Sequence, residues 1–155
     1  MPKALEDRIQ KTVPHGIMKV LKWCDESPFK TVCHGDSRLD NFYFQEHEDG
    51  SLTGGMYDWA LSLRAPCYYD VSWMLTHSFP CDFQTEYEGE FLALYWKTLK
   101  ENLPKDCHMS NQLLFGDFRV GYGLGQLICL SKCVMAYEAI TKMDKNSDEY
   151  KEKLR

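Results

Sequence analysis

Long apolar runs are missing from this 155-residue chain. Its apolar stretches, such as Leu127 to Leu130, fall far short of the ~20 residues a membrane helix needs, and no charged-then-apolar signal segment opens it. Both absences point to a cytoplasmic protein with no membrane partner. A basic surplus is missing too: 18 Lys plus Arg stand against 23 Asp plus Glu, a formal net charge of −5. Binding along a phosphate backbone needs the opposite balance, so nucleic acid is disfavoured as a partner. There is no C-x-x-C pair. The seven cysteines (Cys24, Cys33, Cys67, Cys81, Cys107, Cys129 and Cys133) are odd in number and scattered, which argues against a disulfide framework and against a finger-type zinc site. They read as reduced thiols, mostly core. No G-x-S-x-G elbow supports a hydrolytic serine, and no repeat, low-complexity segment or linker divides the chain.

What is present is ordinary globular composition, 44% apolar and 26% charged, enough for one domain over residues 1–155. Leu5, Ile9 and Val13, then Ile17, Val20, Leu21 and Cys24, recur at helical spacing around Pro14-His15-Gly16, which predicts two short amphipathic helices split by a turn. The aromatic run Phe42-Tyr43-Phe44, the turn signal Asp49-Gly50 and the apolar Leu52 to Trp59 predict a β-hairpin. Beyond Pro66 the pattern is helical: Tyr69 to His77, a helix opened by a Thr85 to Glu88 capping box, and a long core segment from about Ser110 to Thr141. Residues 143–155 read as a polar tail. Gly121, Gly123 and Gly125 follow G-x-G-x-G spacing with no strand before them, which suits helix packing better than a nucleotide loop. Trp59, Tyr68, Tyr69, Trp73, Tyr95 and Trp96 read mostly as core aromatics, with one or two open to lining a substrate pocket.

One stretch carries chemistry. His34-Gly35-Asp36-Ser37-Arg38-Leu39-Asp40-Asn41, followed by Tyr57-Asp58-Trp59, has the order and spacing of a phosphotransferase site. In the kinase template, H-x-D-x-x-x-x-N supplies an Asp that accepts the substrate hydroxyl proton and an Asn that holds Mg²⁺, and a later Asp binds metal between phosphates. That assigns Asp36 as base and Asn41 and Asp58 as metal ligands, brought together by the intervening hairpin. Phosphoryl transfer needs little covalent chemistry from a protein, so positioning and charge neutralisation suffice. His34 reads as a structural loop histidine. Arg38 and Asp40 either pair on the loop surface or help order loop and substrate. Asp70 either bonds the loop backbone or caps the next helix.

At these residues the chain resembles the aminoglycoside phosphotransferase and choline kinase-like family. His34-Gly35-Asp36 is similar to that family's catalytic loop, and Arg38-Leu39-Asp40-Asn41 to the subgroup reading H-G-D-x-R-L-D-N. Tyr57-Asp58-Trp59 resembles the I-D-W metal motif, and Pro66 with Tyr69-Asp70-Val71 the P-x-x-x-D-L-A segment. The resemblance is sharp over residues 31–75 and loose over the helical remainder, residues 82–141. It implies a mainly α fold with a small β-hairpin, the C-terminal lobe of the protein kinase-like fold. It also implies Mg²⁺ as cofactor, ATP as cosubstrate and a small-molecule alcohol as acceptor. Two departures stand out. Ala60 follows Asp58-Trp59 where the family carries an acidic residue or Gln, and residues 1–30 hold no glycine-rich loop, strand Lys or helix Glu of an N-terminal lobe. The expectation is therefore a C-lobe whose N-terminal lobe is a missing partner, inactive alone and exposing apolar surface near the loop. The alternative is a non-catalytic remnant that binds a ligand or protein.

Overall fold

A computed structural model describes residues 3–141, so the polar tail expected at residues 143–155 lies outside the described residues. The elements in order are α1 (Lys3–Glu26), β1 (Lys30–Cys33), β2 (Phe42–Glu46), β3 (Leu52–Met56), β4 (Leu63–Pro66), α2 (Tyr69–Ser78), α3 (Cys81–Asn102), α4 (His108–Gln112) and α5 (Phe115–Thr141). Single 3-10 turns at Leu39–Asn41 and Trp59–Leu61 flank the β2–β3 hairpin. The protein is mainly helical with a small antiparallel hairpin, as its sequence pattern predicts.

Three local expectations fail, the first because tertiary packing outweighs a local signal. α1 is one helix that runs through Pro14, not two helices. A proline inside a helix costs about 3 kcal/mol or more. The C-terminal half of α1 is anchored nonetheless: Cys24 is buried, Val20 packs on the core, and Trp23 stacks on Tyr68 with ring centroids 5.7 Å apart. The third helix begins at Cys81, with Pro80 as the cap, rather than at Thr85. Thr85 lies a turn inside it, its hydroxyl donating to the Cys81 carbonyl at 2.8 Å. The long C-terminal segment breaks at Leu113-Leu114, leaving the short α4 before α5.

The strands form two antiparallel pairs. β2 pairs with β3 in the register Phe42↔Met56 to Glu46↔Leu52, and β1 pairs with β4 from Lys30↔Pro66 to Cys33↔Leu63. The second pair has no sequence signal, because four residues per strand are too few for alternation to show. Its effect is decisive, since it places the residues after Cys33 beside those before Pro66.

α2 packs against α5 and α3, which also touch each other. Tyr68, Val71, Leu75, Leu92, Met109, Leu113 and Phe118 form the core with the half-buried Phe91, Tyr95 and Trp96 around it. α5 approaches α2 closely because of two glycines. A Cβ on Gly121 would sit 2.2 Å from the Tyr68 ring, and one on Gly125 would sit 2.3 Å from Ser72 Oγ. Gly123 meets nothing within 4 Å. Ser72 Oγ donates to the Tyr68 carbonyl at 2.7 Å and lies 3.1 Å from the Tyr122 carbonyl, joining the helices. Cys24, Cys33, Cys67 and Cys129 are buried, Cys81 and Cys133 exposed, and all seven thiols are free. Burial pushes the Cys33 and Cys67 thiols up to about 12, so both stay protonated. Apolar side chains reach solvent beside the loop that follows β1, among them Val32 (74% exposed) and Leu61 (63%). No described helix is long and apolar enough to cross a membrane.

Candidate active site

β1 delivers His34, Gly35 and Asp36 into a loop that cannot run free, because its backbone is bonded from below. The Asp70 carboxylate, in the first turn of α2, accepts from His34 N–H at 2.6 Å and from Gly35 N–H at 3.0 Å. Ser37 Oγ donates to the Asp70 carbonyl at 2.7 Å. Asp70 thus bonds the loop backbone. Gly35 has φ +87°, and a Cβ there would lie 2.1 Å from the Leu61 carbonyl oxygen, so both the turn and the close approach require glycine.

His34 is 1% exposed and links the two motifs. Asp36 N–H donates to its Nδ1 at 3.3 Å, which leaves the ring proton on Nε2, and Nε2 lies 2.8 Å from the Tyr57 carbonyl. Its ring also packs on Trp59 at 4.7 Å. On the other side of the hairpin, Tyr57 N–H donates to the Asn41 carbonyl at 3.1 Å, and its hydroxyl donates to the Asp40 carbonyl. Tyr57 is therefore tied at both ends of its peptide unit to the loop, and Asp58 follows it directly.

The Asp36 carboxylate collects four contacts. Oδ1 accepts from Trp73 Nε1 at 3.0 Å and Arg38 Nε at 3.1 Å, and Oδ2 from Asn41 Nδ2 at 3.2 Å and Arg38 at 3.5 Å. Burial acts to raise its pKa, but the bonds from Trp73 and Arg38, the Arg38 charge and the Asn41 bond outweigh burial and hold it below the ordinary 3.8. It is an oriented anion at neutral pH. Arg38 also reaches Asp40 at 3.3 Å, so it bridges the two carboxylates.

Asn41 is buried, and its amide nitrogen is committed to the Asp36 carbonyl at 2.8 Å as well as to the carboxylate. That leaves its Oδ1 as an oxygen without a hydrogen-bond partner among the described residues. Asp58 is exposed, likewise without a side-chain partner among them, and has φ 61° and ψ 59°. It is the only non-glycine at positive φ among the described residues. The left-handed conformation costs about 1 to 2 kcal/mol in most L-residues and is tolerated better by Asp, whose short polar side chain can bond locally. Two free oxygen donors, one amide and one carboxylate, fit a hard divalent cation such as Mg²⁺.

A second group lies near Asp36. Of the aromatics read mostly as core, Trp73 is half-buried and holds the Asp36 carboxylate, and Trp59 is half-exposed. Lys132, from α5, lies 4.4 Å over the Trp73 ring and donates to Tyr69 Oη at 2.7 Å. His77 stacks on Trp73 at 4.0 Å. Tyr69, Trp73 and His77 recur every four residues on one face of α2, a spacing visible in the sequence. Lys132 carries no such signal.

The site thus consists of a backbone-clamped H-G-D loop, a buried Asn bonded to its Asp, and a second Asp that follows the hairpin. The sequence model of the ecdysteroid kinase-like family matches residues 3–108, more than half of the chain. The chain belongs to that family. The match takes in all of α1, the motif region and α2 and α3. No curated protein and no solved structure matches the chain.

Proposed function

We propose that this chain carries the catalytic and metal-binding half of a site that transfers the γ-phosphoryl group of ATP to a hydroxyl of a small, non-cationic alcohol. Asp36 accepts the hydroxyl proton while the hydroxyl oxygen bonds to phosphorus and ADP leaves. Asn41 Oδ1 and Asp58 would hold Mg²⁺, which would supply charge neutralisation to the phosphates. His34 and Asp70 hold the loop, and Arg38 with Asp40 orders it. The upstream lobe that clamps the nucleotide is the expected protein partner.

The observation that carries this reading is the pairing of an oriented carboxylate with a buried asparagine whose only uncommitted atom is oxygen. The position of Lys132 supports a non-cationic acceptor. Aminoglycosides and choline are cations, and the aromatic face beside Asp36 that would receive a cation is already covered by an ammonium of this chain. A neutral alcohol avoids charge repulsion with that ammonium.

The test is phosphate transfer from labelled ATP to a panel of neutral and cationic alcohols. It uses this chain alone and joined to any in-frame sequence upstream of Met1. Transfer to neutral acceptors is expected, with Asp36→Ala lowering kcat by about 10² or more. A rate within a few-fold of the parent in Asp36→Ala sinks the catalytic assignment. Absence of transfer and of Mg·ATP binding in every form supports the reading as a non-catalytic binding module instead.

A further inference from the structure

Beyond the phosphotransferase site, α5 presents a thiol in an arrangement that no step of that reaction uses. Cys133 is exposed, and its Sγ lies 3.4 Å from His77 Nε2. The other ring nitrogen of His77, Nδ1, lies 2.9 Å from the Trp73 backbone carbonyl. A carbonyl only accepts, so Nδ1 carries the ring proton in the neutral imidazole. Nε2 is then a bare lone pair aimed at sulfur, and the thiol must be the donor between them. Stacking of the imidazole on Trp73 at 4.0 Å fixes the ring plane. This is the general plan of an activated nucleophile: sulfur, an adjacent base, and a third group that sets the tautomer of the base. The neighbouring Lys132 adds positive charge on the same turn of α5, half-buried over the aromatic rings.

We propose that Cys133, with His77 as its base, is the covalent modification site of this chain for soft carbon electrophiles. In the step, sulfur attacks the electrophilic carbon and a carbon–sulfur bond forms. The thiol proton passes to His77 Nε2, and the leaving group departs with the electron pair of the bond that breaks. With iodoacetamide the products are the carbamidomethyl thioether, iodide and one proton, which His77 returns to water.

The other thiols supply the contrast. Cys24, Cys33, Cys67 and Cys129 are buried, and burial raises the pKa of each, to about 11 for Cys129 on the turn before Cys133. Cys81 is exposed like Cys133 but has no imidazole bonded to it. Cys81 and Cys133 are thus both exposed, but Cys81 opens α3, where the helix N-terminus favours a thiolate, whereas Cys133 has the His77 contact with Lys132 beside it. An adduct on Cys133 ends the S–H···Nε2 bond and places its bulk against the His77–Trp73 stack. Trp73 in turn holds the Asp36 carboxylate at 3.0 Å, so the modified thiol borders the acceptor side of the phosphotransferase site.

The experiment is limiting iodoacetamide on the native chain at neutral pH, quenched over a time course, with each cysteine-containing peptide quantified by mass spectrometry. Cys133 is expected to react at least tenfold faster than Cys81. In His77→Gln, which keeps a polar side chain of similar reach but no comparable base, the Cys133 rate is expected to fall to within twofold of Cys81. The Cys81 rate serves as the internal control for folding. Cys133→Ser leaves His77 intact and is expected to remove the fast-reacting thiol from the protein altogether. Equal rates at Cys81 and Cys133 in the parent overturn the proposal. So does an unchanged Cys133 rate in a folded His77→Gln, or a fast phase that survives in Cys133→Ser.

Discussion

Asp70→Asn tests the claim that one carboxylate holds the loop. The substitution keeps the size of the side chain and replaces one acceptor oxygen by an N–H₂ group. In the parent, Oδ2 and Oδ1 accept from His34 and Gly35 N–H at 2.6 and 3.0 Å, and both of those residues are buried. In the variant one donor faces another donor, and the surviving bond is to a neutral oxygen. Losing a bond to a charged group while leaving its donor unpaired costs about 1.5 to 3 kcal/mol, and neutralising the second about 0.5 to 1 more. The sum is about 2 to 4 kcal/mol, against total stabilities of about 5 to 15 for single domains. Urea unfolding followed by circular dichroism reads this as a midpoint lowered by about 1 to 2 M at a slope of about 2 kcal/mol per M. Hydrogen exchange gives the local reading: protection of the His34 and Gly35 amides falls by about 30-fold or more, and amides in α3 fall only by the global loss. A variant within about 0.5 kcal/mol of the parent, with those two amides still protected, refutes the clamp.

The glycines of α5 separate packing from helix propensity. Gly123→Ala, which meets nothing within 4 Å, is expected to raise stability by up to about 1 kcal/mol, whereas Gly121→Ala drives a methyl into the Tyr68 ring and lowers it by about 1 to 3; equal melting shifts for the two variants contradict the α2–α5 geometry. Acid unfolding tests Asp36. A carboxylate whose folded pKa lies below 3.8 contributes stability that is fully present above that pH and is lost as pH falls through the folded value. The stability difference between parent and Asp36→Asn should therefore be constant at neutral pH and shrink only below about 3.8, and a difference that already shrinks near pH 6 is inconsistent with it. At Asp58, glycine relieves the left-handed strain, so Asp58→Gly is expected to leave stability unchanged or up to about 1 kcal/mol higher. The same variant loses Mn²⁺-induced broadening of the Asn41 amide resonance, and broadening equal to the parent's removes Asp58 from the metal site.

The kinase-like motif was legible in the sequence because its residues lie close along the chain and the hairpin between them has its own signals. Phe42 to Phe44, Asp49-Gly50 and the run from Leu52 announce two strands, and the ends of a hairpin must come back together. The core helices were legible for a similar reason, since apolar spacing is a property of each helix by itself. Boundaries were not: Pro14 and Thr85 carry local signals of a break and a start, and packing of α1 on Tyr68 and capping at Pro80 overrode them. Nor was the β1–β4 pair, whose strands are too short to show a pattern. What the tertiary structure alone decided is the environment of Asp36 and of Cys133. Trp73 and Asp36 are 37 positions apart and Cys133 and His77 are 56 apart, and each pair meets only because α2 lies between the loop and α5. Local sequence encodes which residues can react, but a proton or a cation is shared only between groups a few ångströms apart, and that distance is set by how the helices pack.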